Sequence, residues 1–442
     1  MTAPRDAQGH ELTGATAEAV AHYDEAVRRA TLAHGDAMGA FDAAIAAAPE
    51  MAAAHLGKGW ALVLSNDPMF IPRAALVAEQ VQAMRRNARE EAHRAALALL
   101  AAGRRAAAVA VLDRHLMSAP RDILAHQYAA LMDGFLGRFP WMRDRSARAL
   151  PFWSRDTPGF GAMLAVHGFG LEEAGDYARA EEESRAAAEL EPHSWWAHHT
   201  VSHVMEMTGR PEDGLGWMAA REPFWAGAEH PNQAHIWWHR ALFHLELGQY
   251  DAALALHDGP LHANQKRVAV AMTNATALLW RLEAIGHDVG ARWSGLADAW
   301  EGHADGRTLA FADVHAVMAD LGAGRAASAE RRLAAMRATA ASDAEAAPTY
   351  ALAAVPVAEG MTAFHRGEHA AAVDRLLPAR FELWRIGGSH AQRDVAVWTL
   401  TEAAIRAGAR DVALALAHER LALRPRSVPN RTFLRRAEAL RG

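Results

Sequence analysis

The chain has 442 residues, with 25 histidines, 14 tryptophans, no cysteine and a formal net charge of −6. The lack of cysteine excludes disulfide bonds, thiolate metal ligands and cysteine nucleophiles. The near balance of 46 basic and 52 acidic residues is untypical of nucleic-acid-binding proteins, and no apolar run has the length of a membrane span or the position of a signal segment. We therefore expect a cytoplasmic protein without nucleic-acid or membrane partners.

Helical patterns follow one another along the whole chain. Ala, Leu, Glu and Arg dominate, and apolar residues recur every three or four positions, as they do in amphipathic helices. In chain order, the turns between paired helices are predicted at Gly35, Asn66, Gly103, Gly137, Gly175, Gly209, Gly248, Gly286, Gly322, Gly367 and Gly408. A helix–turn–helix unit of about 34 residues is the tetratricopeptide repeat. The turn spacing of 31 to 45 residues predicts an all-α fold, a tetratricopeptide-like α-solenoid of about eleven helix pairs that could curl toward a ring.

The units match the repeat pattern to different degrees. In residues 161–194, which fit best, the small, turn and stop positions hold Gly168, Gly175 and Pro192. The segment 337–348 does not fit and predicts a longer connection between helices. We expect one continuous array, with N-terminal units in residues 1–336 and C-terminal units in residues 349–442.

Histidine and tryptophan are concentrated in the middle of the chain. Ten of the 25 histidines lie between residues 193 and 262, and nine of the 14 tryptophans lie between residues 195 and 300. The first helix of each repeat lines the concave surface of such a solenoid, and its predicted groove positions in three successive units hold Glu172, Trp196, His199, His203, Glu206, His235 and Trp238, with His239 one turn after His235. This pattern predicts one polar and aromatic binding surface.

Three interpretations of this surface remain open. Neutral imidazoles beside a carboxylate and indoles favour a pocket for a small molecule or peptide, which needs no cofactor. The same residues suit an enzyme, in which His199, His203 and Glu206 are the candidates for acid–base catalysis. The third interpretation is a structural hydrogen-bond network in a scaffold for a protein partner.

The histidine spacing also permits a metal site. Residues four apart lie on one face of a helix, and His199 and His203 repeat the spacing of His235 and His239. A divalent metal ion can be bound by imidazoles without any cysteine. We treat this as a secondary hypothesis, because the directly adjacent glutamate of the HExxH motif is missing.

Two further segments carry charge near an aromatic or glycine-rich sequence. In GGSHAQRD, residues 387–394, a helix begins at a glycine turn, so His390 and Arg393 are candidates for binding an anion there, with an ordinary capped turn as the alternative. Residues 140–148, PWMRDRSAR, are basic and predict a solvated helix face with Trp141 packed beneath it.

The histidine-rich motifs resemble a known family. HSWWAHHTVSHVMEMTGR (193–210), AHIWWHRALFHLELGQYDAALALHD (234–258) and GGSHAQRD (387–394) with ERLALRP (419–425) are similar to the tetratricopeptide repeat protein 38 family, as are PRDILAHQ (120–127), MRDRSARALPFW (142–153) and HGFGLEEAGDYARAE (167–181). The resemblance implies an all-helical repeat protein without an established biochemical activity. It also implies that the following residues occupy characteristic positions of the family: His199, His203, Glu206, His235, Trp238, His239 and His390. Ile236 and Arg240 depart from the asparagine and the apolar residue of the family pattern.

Overall fold

The structure is a computed structural model that describes residues 4–63, 67–264, 268–303 and 309–441. The turn predicted at Asn66 lies outside the described residues. The chain packs into two compact units, Met1–Val201 with Arg221–Asn232, and Ser202–Ala220 with Gln233–Gly442. None of the described helices combines the length and the apolar character needed to cross a membrane.

The first unit consists of paired helices. They are α1 (Ala17–Leu32), α2 (Ala37–Ala47), α3 (Ala52–Val63), α4 (Ile71–Gln82), α5 (Ala88–Ala101), α6 (Arg105–Ser118), α7 (Ile123–Leu136), α8 (Phe139–Ala149), α9 (Phe160–Glu173) and α10 (Tyr177–Leu190). The unit also includes the first half of α11 (Trp195–Met207) and the end of α12 (Pro211–Trp225). Helices α1 and α2, α5 and α6, and α9 and α10 pack closely as pairs joined by short turns.

The second unit begins within α11 and continues to the C-terminal helix. Its further helices are α13 (Gln233–Glu246), α14 (Tyr250–Leu256), α15 (His262–Asn264), α16 (Ala269–Ala284), α17 (Arg292–Trp300), α18 (Ala310–Gly322), α19 (Ala326–Ala340), α20 (Ala347–Thr349), α21 (Val355–His365), α22 (His369–Ala379), α23 (His390–Arg406), α24 (Arg410–Leu423) and α25 (Val428–Glu438). Within this unit α13 packs against α16, and α16 packs against α18 and α23. Helix α25 also contacts α13, so the end of the chain returns to the start of the unit.

The predicted turns are confirmed at nine glycines. Their φ angles lie between 65° and 95°, the left-handed region that glycine adopts without a steric penalty, at Gly35, Gly103, Gly137, Gly175, Gly209, Gly248, Gly286, Gly367 and Gly408. The prediction at Gly322 is wrong, because α18 extends through Gly322 and the positive φ of 71° occurs at Gly324. Glycine is required at position 322 by packing and not by a turn, because a Cβ atom there would lie 2.4 Å from the Trp293 ring. The pattern of helix, glycine turn and helix gives an all-α, tetratricopeptide-like fold.

The long connection predicted at residues 337–348 is shorter in the structure. Helix α19 continues to Ala340, and helical structure resumes at Ala347, so six residues separate the two helices. The alanine-rich sequence favours helix, and Arg337 in the last turn of α19 binds Glu359 and Glu330. The arrangement of all repeats in a single continuous array stays a prediction.

Candidate functional site

A cluster of buried polar side chains lies on three helices of the second unit. Helix α11 carries His203 and Glu206, helix α13 carries His235 and His239, and helix α16 carries Asn274. His203 and His239 are completely buried, Glu206 and Asn274 are almost so, and His235 is half-buried. Buried polar groups on neighbouring helices must satisfy one another, so this set forms a specific arrangement rather than a solvated surface. We call these five residues the His203 cluster.

The histidines of the His203 cluster contact one another through their ring nitrogens. The Nε2 atoms of His235 and His239 are 3.3 Å apart. The His203 ring centroid lies 4.4 Å from that of His239. One ring nitrogen from each of the three histidines lies within 4.8 Å of the others. The three imidazoles are therefore close enough to contact one ion or one small group.

The opposite ring nitrogens face oxygen atoms. His235 Nδ1 is 2.7 Å from Asn274 Oδ1, and His239 Nδ1 is 3.2 Å from Glu206 Oε2. These contacts fix the orientation of both rings. If both Nδ1–H groups donate to these oxygens, two Nε2 lone pairs face each other, and a positive centre must lie between them. The alternative is that Glu206 is protonated and donates to His239 Nδ1, so that His239 Nε2–H donates to His235.

Burial favours the uncharged forms of His235, His239 and Glu206. Burial lowers the pKa of His235 to about 4, opposed by the contact with Asn274, and lowers the pKa of His239 well below its ordinary value. Burial also raises the pKa of Glu206 to about 7, although the positive charge of Arg424 opposes this shift. A neutral imidazole has an available lone pair on one nitrogen. It is therefore the form of histidine that binds a metal ion or accepts a proton.

The ring of Trp238 packs against the ring of His235. Trp238 is completely buried, its ring stacks on His235 at a centroid distance of 5.2 Å, and the Arg281 guanidinium lies 5.9 Å from the ring. The predicted aromatic residue thus limits the rotation of His235. A role of Trp238 in direct ligand contact stays a prediction.

A layer of ion pairs adjoins the His203 cluster. Arg424 Nη1 is 3.0 Å from Glu246 Oε1 and 4.0 Å from Glu206 Oε1, and Arg424 Nη2 is 3.6 Å from Asp394 Oδ1. Asp394 also accepts a 2.7 Å hydrogen bond from Arg420. The neighbouring arginines hold the pKa of Asp394 well below its ordinary range despite burial. These pairs attach the end of the chain to the helices that carry the cluster.

Three of the predicted site residues belong to the first unit. His199 stacks on Trp195 at a centroid distance of 4.3 Å, and Trp196 lies edge-on to Trp195 at 4.9 Å. Glu172 is fully buried on α9, and His199 and Trp196 are also buried. On α11 itself His199 is one turn before His203. The convergence of His199, Trp196 and Glu172 on one binding surface with the His203 cluster stays a prediction.

The segment 387–394 begins α23 with a capping box. Ser389 Oγ accepts from the Gln392 N–H, and the Gln392 side chain accepts from the Ser389 N–H. Arg393 is buried and donates to the carbonyl of Gly388 in the same turn, while His390 is half-buried at the first position of the helix. These hydrogen bonds are those of an ordinary capped helix start, which was the alternative for this segment. An anion site at His390 and Arg393 stays a prediction.

A second histidine cluster lies in the first unit and was not predicted. The ring centroids of His34 and His193 are 4.4 Å apart, and those of His34 and His230 are 4.7 Å apart. Both ring nitrogens of His230 are buried without a hydrogen-bond partner among the described residues. Burial and the neighbouring His34 lower the pKa of His230 to about 4. The three residues lie in turns far apart in sequence, so no helical spacing indicates their contact.

A third group of histidines in the first unit is part of an ion-pair network. One oxygen of Asp122, Oδ2, receives Arg89 Nε at 2.7 Å, His93 Nε2 at 2.8 Å and His115 Nε2 at 2.9 Å. Asp122 also accepts from the Ala125 N–H at the start of α7. The arginine already neutralises this carboxylate, so the group has a structural role.

Other contributors to the His203 cluster were also missed by sequence reasoning. Asn274 is a polar residue within a helix whose neighbours are almost all buried, which is a weak sequence signal for a specific partner. Glu246 binds Arg424, which is 178 residues away in the sequence. Only the packing of the helices brings these residues together.

The fold of this chain is similar to the folds of known helical repeat proteins. No family model matches the sequence. The structure is similar to the human IFIT1 dimer with PPP-AAAA, at 14% identity over 95% of this chain and 94% of that chain, with a TM-score of 0.43. It is also similar to the APC/C hetero-tetramer Cut9-Hcn1, at 12% identity over 93% and 87% of the two chains and a TM-score of 0.28. A further similarity is to Naa15/Naa10 bound to HypK-THB, at 14% identity over 83% and 58% and a TM-score of 0.25. Scores this low carry no inference about the function of this chain.

Proposed function

We propose that this protein binds a divalent transition-metal ion through His203, His235 and His239, and that the ion binds a small polar molecule. The observation that carries this proposal is the 3.3 Å separation of the Nε2 atoms of His235 and His239. Two imidazoles bound at about 2.0–2.1 Å to a tetrahedral zinc ion have their nitrogens about 3.3 Å apart. The distance between the two nitrogens therefore fits a shared ion.

The groups behind the two rings support the same assignment. Histidines that bind a metal ion usually donate their other N–H to a carboxylate or carbonyl oxygen, which fixes the tautomer and raises the basicity of the ligating nitrogen. Asn274 Oδ1 and Glu206 Oε2 occupy those positions behind His235 and His239. Burial favours the neutral imidazole over the imidazolium, so proton competition for the ligating nitrogens is weak at neutral pH.

The ligand set limits the ions and the chemistry. Imidazole ligands suit zinc, copper, nickel and iron better than magnesium or calcium. Three imidazoles are also the ligand set of some catalytic zinc sites, where the ion acts as a Lewis acid toward a carbonyl or phosphoryl oxygen. His235 is the half-buried member and is the residue through which a small molecule would approach. The proposal thus combines two hypotheses from the sequence, the pocket for a small molecule and the metal site.

Metal content of the purified, untagged protein is the first test. We expect one equivalent of a transition metal by elemental analysis, or one equivalent of Zn²⁺ bound in calorimetry after chelation. His235→Ala should abolish this binding with little change in melting temperature, because His235 is half-buried. His418→Ala, at an exposed position on α24, is the matched control and should bind as the wild type does.

The second histidine cluster requires its own control. His230→Ala removes the most buried member of that group and leaves the residues of the His203 cluster unchanged. The proposal is overturned if the wild type binds no metal, or if His235→Ala binds as well as wild type while His230→Ala does not.

A second candidate is metal-free proton transfer. It is favoured by the continuous contacts from Glu206 through His239 to the half-buried His235. In such a chain Glu206 protonates His239 Nδ1, and His239 Nε2–H protonates His235 Nε2. His235 then gives its Nδ1 proton, as a general acid, to a substrate that replaces Asn274 Oδ1 as the acceptor. This candidate survives a negative metal analysis, and it predicts that Glu206→Gln loses turnover of a substrate found by activity screening but keeps substrate binding.

The resemblance to the tetratricopeptide repeat protein 38 family, a peptide ligand and a protein partner are compatible with a helical repeat, but no contact of the described residues favours them over a small polar molecule. We therefore place the small molecule first.

A further inference from the structure

A cavity in the first unit involves the basic segment 140–148. It has a volume of about 400 Å³ and lies between α6 and the start of α8. Its lining includes the apolar residues Val109, Met117 and Trp141 and the basic residues Arg114, Arg138 and Arg145. A volume of this size is within the range of small-molecule sites.

Trp141 does not have the buried position that the sequence predicts. Its side chain is 59% exposed, and the neighbouring Met117 is 62% exposed. The prediction that Trp141 packs beneath a solvated face is therefore wrong, because α8 turns Met142 and Arg145 inward and Trp141 outward. Exposed large apolar residues that line a cavity are more often a binding surface than a feature of folding.

Arg145 has hydrogen-bonding capacity that the protein does not use. It is 2% exposed, and it donates from Nε to Asp113 Oδ1 at 2.9 Å and from Nη1 to Asp133 Oδ2. Its Nη2 is buried without a hydrogen-bond partner among the described residues. An unsatisfied buried N–H of a charged group is costly, so the pairing of Arg145 within the protein is incomplete.

The charge around the cavity also favours an anion. Asp113 is shared by Arg145 and Arg148, and Arg145 also pairs with Asp133, whereas Arg114 and Arg138 form no ion pair among the described residues. Cationic groups thus exceed the carboxylates at this position. A ligand with an oxyanion would complete the pairing, and Trp141 and Met117 would cover an adjoining flat apolar group.

We propose that this cavity binds a small organic anion, with its oxyanion near Arg138 and Arg145 and an aromatic or other flat apolar body against Trp141. The site is separate from the His203 cluster, and its existence does not depend on the proposed metal. The recognised chemistry is a carboxylate or a phosphate attached to an apolar ring.

Ligand-observed NMR with phenylacetate and phenyl phosphate tests the proposal. We expect saturable binding of at least one of them, with the stronger ligand identifying the carboxylate or the phosphate as the preferred group. Benzyl alcohol and inorganic phosphate, which each lack one half of the ligand, should bind at least tenfold more weakly. Equal binding of benzyl alcohol or of inorganic phosphate overturns the proposal, as does the absence of binding by both aromatic anions.

Variants at the exposed Trp141 and the half-buried Arg138 locate the site. Trp141→Ala and Arg138→Gln should each weaken binding about tenfold without changing the melting temperature, and Arg138→Lys should restore part of the loss. Trp384→Ala is the matched control, because Trp384 is also exposed and also has an arginine, Arg385, 4.3 Å from its ring. An equal effect of Trp384→Ala overturns the assignment. His235→Ala should bind these anions normally, which separates this test from that of the proposed metal.

Discussion

The Nε2 atoms of His235 and His239 lie 3.3 Å apart, while Nδ1 of each ring faces an oxygen atom on a neighbouring helix. One helix turn separates the two residues, so α13 sets the spacing, and α11 and α16 set the orientation. This combination of spacing and orientation distinguishes the pair from histidines that satisfy only a nearby carbonyl. His126, for example, hydrogen-bonds to the carbonyl of Pro120, six residues earlier in the chain.

Asn274 should control metal affinity without being a ligand. Asn274→Ala removes the acceptor of His235 Nδ1–H, and we expect the affinity for Zn²⁺ to fall about 10–100-fold. Calorimetry with Zn²⁺ measures this effect. Asn430→Ala is the control, because Asn430 is equally buried but binds Arg420 instead of a cluster histidine. Unchanged Zn²⁺ affinity in Asn274→Ala would contradict the assigned orientation of His235.

Arg424 should be essential for the stability of the second unit. Arg424→Ala leaves the buried Glu246 without its arginine and removes one of the two arginines that pair with Asp394, and we expect a loss of about 3–5 kcal/mol in the free energy of unfolding. Urea denaturation followed by circular dichroism measures this loss. The control is Arg426→Ala, because Arg426 is 55% exposed in its pair with Glu212 and should cost less than about 1 kcal/mol. Equal effects of the two variants would show that the Arg424 pairs contribute no more than a surface pair.

Gly322 and Gly295 should respond in opposite directions to alanine. At Gly322 the new Cβ would lie 2.4 Å from the Trp293 ring, so we expect a loss of about 1–3 kcal/mol in the free energy of unfolding from overpacking. Gly295 lies in α17 and has no atom within 4 Å of its added Cβ, so alanine should stabilise the helix by about 0.5–1 kcal/mol. Thermal and urea unfolding of both variants test this pair. A stable Gly322→Ala protein would contradict the close packing of α17 on α18.

Acid should destabilise the fold through its buried histidines. Burial lowers the pKa of His126 and of His315 to about 4, below the value near 6.5 of the unfolded chain. Because the folded state favours the neutral form, the stability from each residue is fully present above pH 6.5 and is lost as the pH falls toward 4. At pH 5 we expect a loss of about 2 kcal/mol for each histidine.

A glutamine substitution separates this effect from general acid denaturation. His126→Gln removes the titrating group, so the decrease in unfolding free energy between pH 7.5 and pH 5 should be smaller than in wild type. His418→Gln, at an exposed position, should leave that decrease unchanged. If His126→Gln and wild type have the same pH dependence, protonation of His126 does not contribute.

The fold was largely predictable because it depends on local sequence. Turn glycines such as Gly175 and Gly209 require a left-handed backbone, and the apolar spacing between them fixes which face each helix buries. The misplaced turn at Gly322 arose because two glycines near the end of α18 have different roles, one in packing and one in the turn. Trp141 was misplaced because its helix has apolar residues on both sides, and only packing decides which side is buried.

Sequence by itself determined the helical repeat, the position of most turns, and the presence of histidines four residues apart on α11 and α13. These features depend on backbone geometry within about ten residues of chain. Tertiary structure decided which atoms face those histidines, because Asn274 and Arg424 reach their partners only through the packing of helices that are far apart in sequence. It also decided that His34, His193 and His230 meet, and that Arg145 is buried with an unused N–H, since both depend on contacts between separate turns and helices.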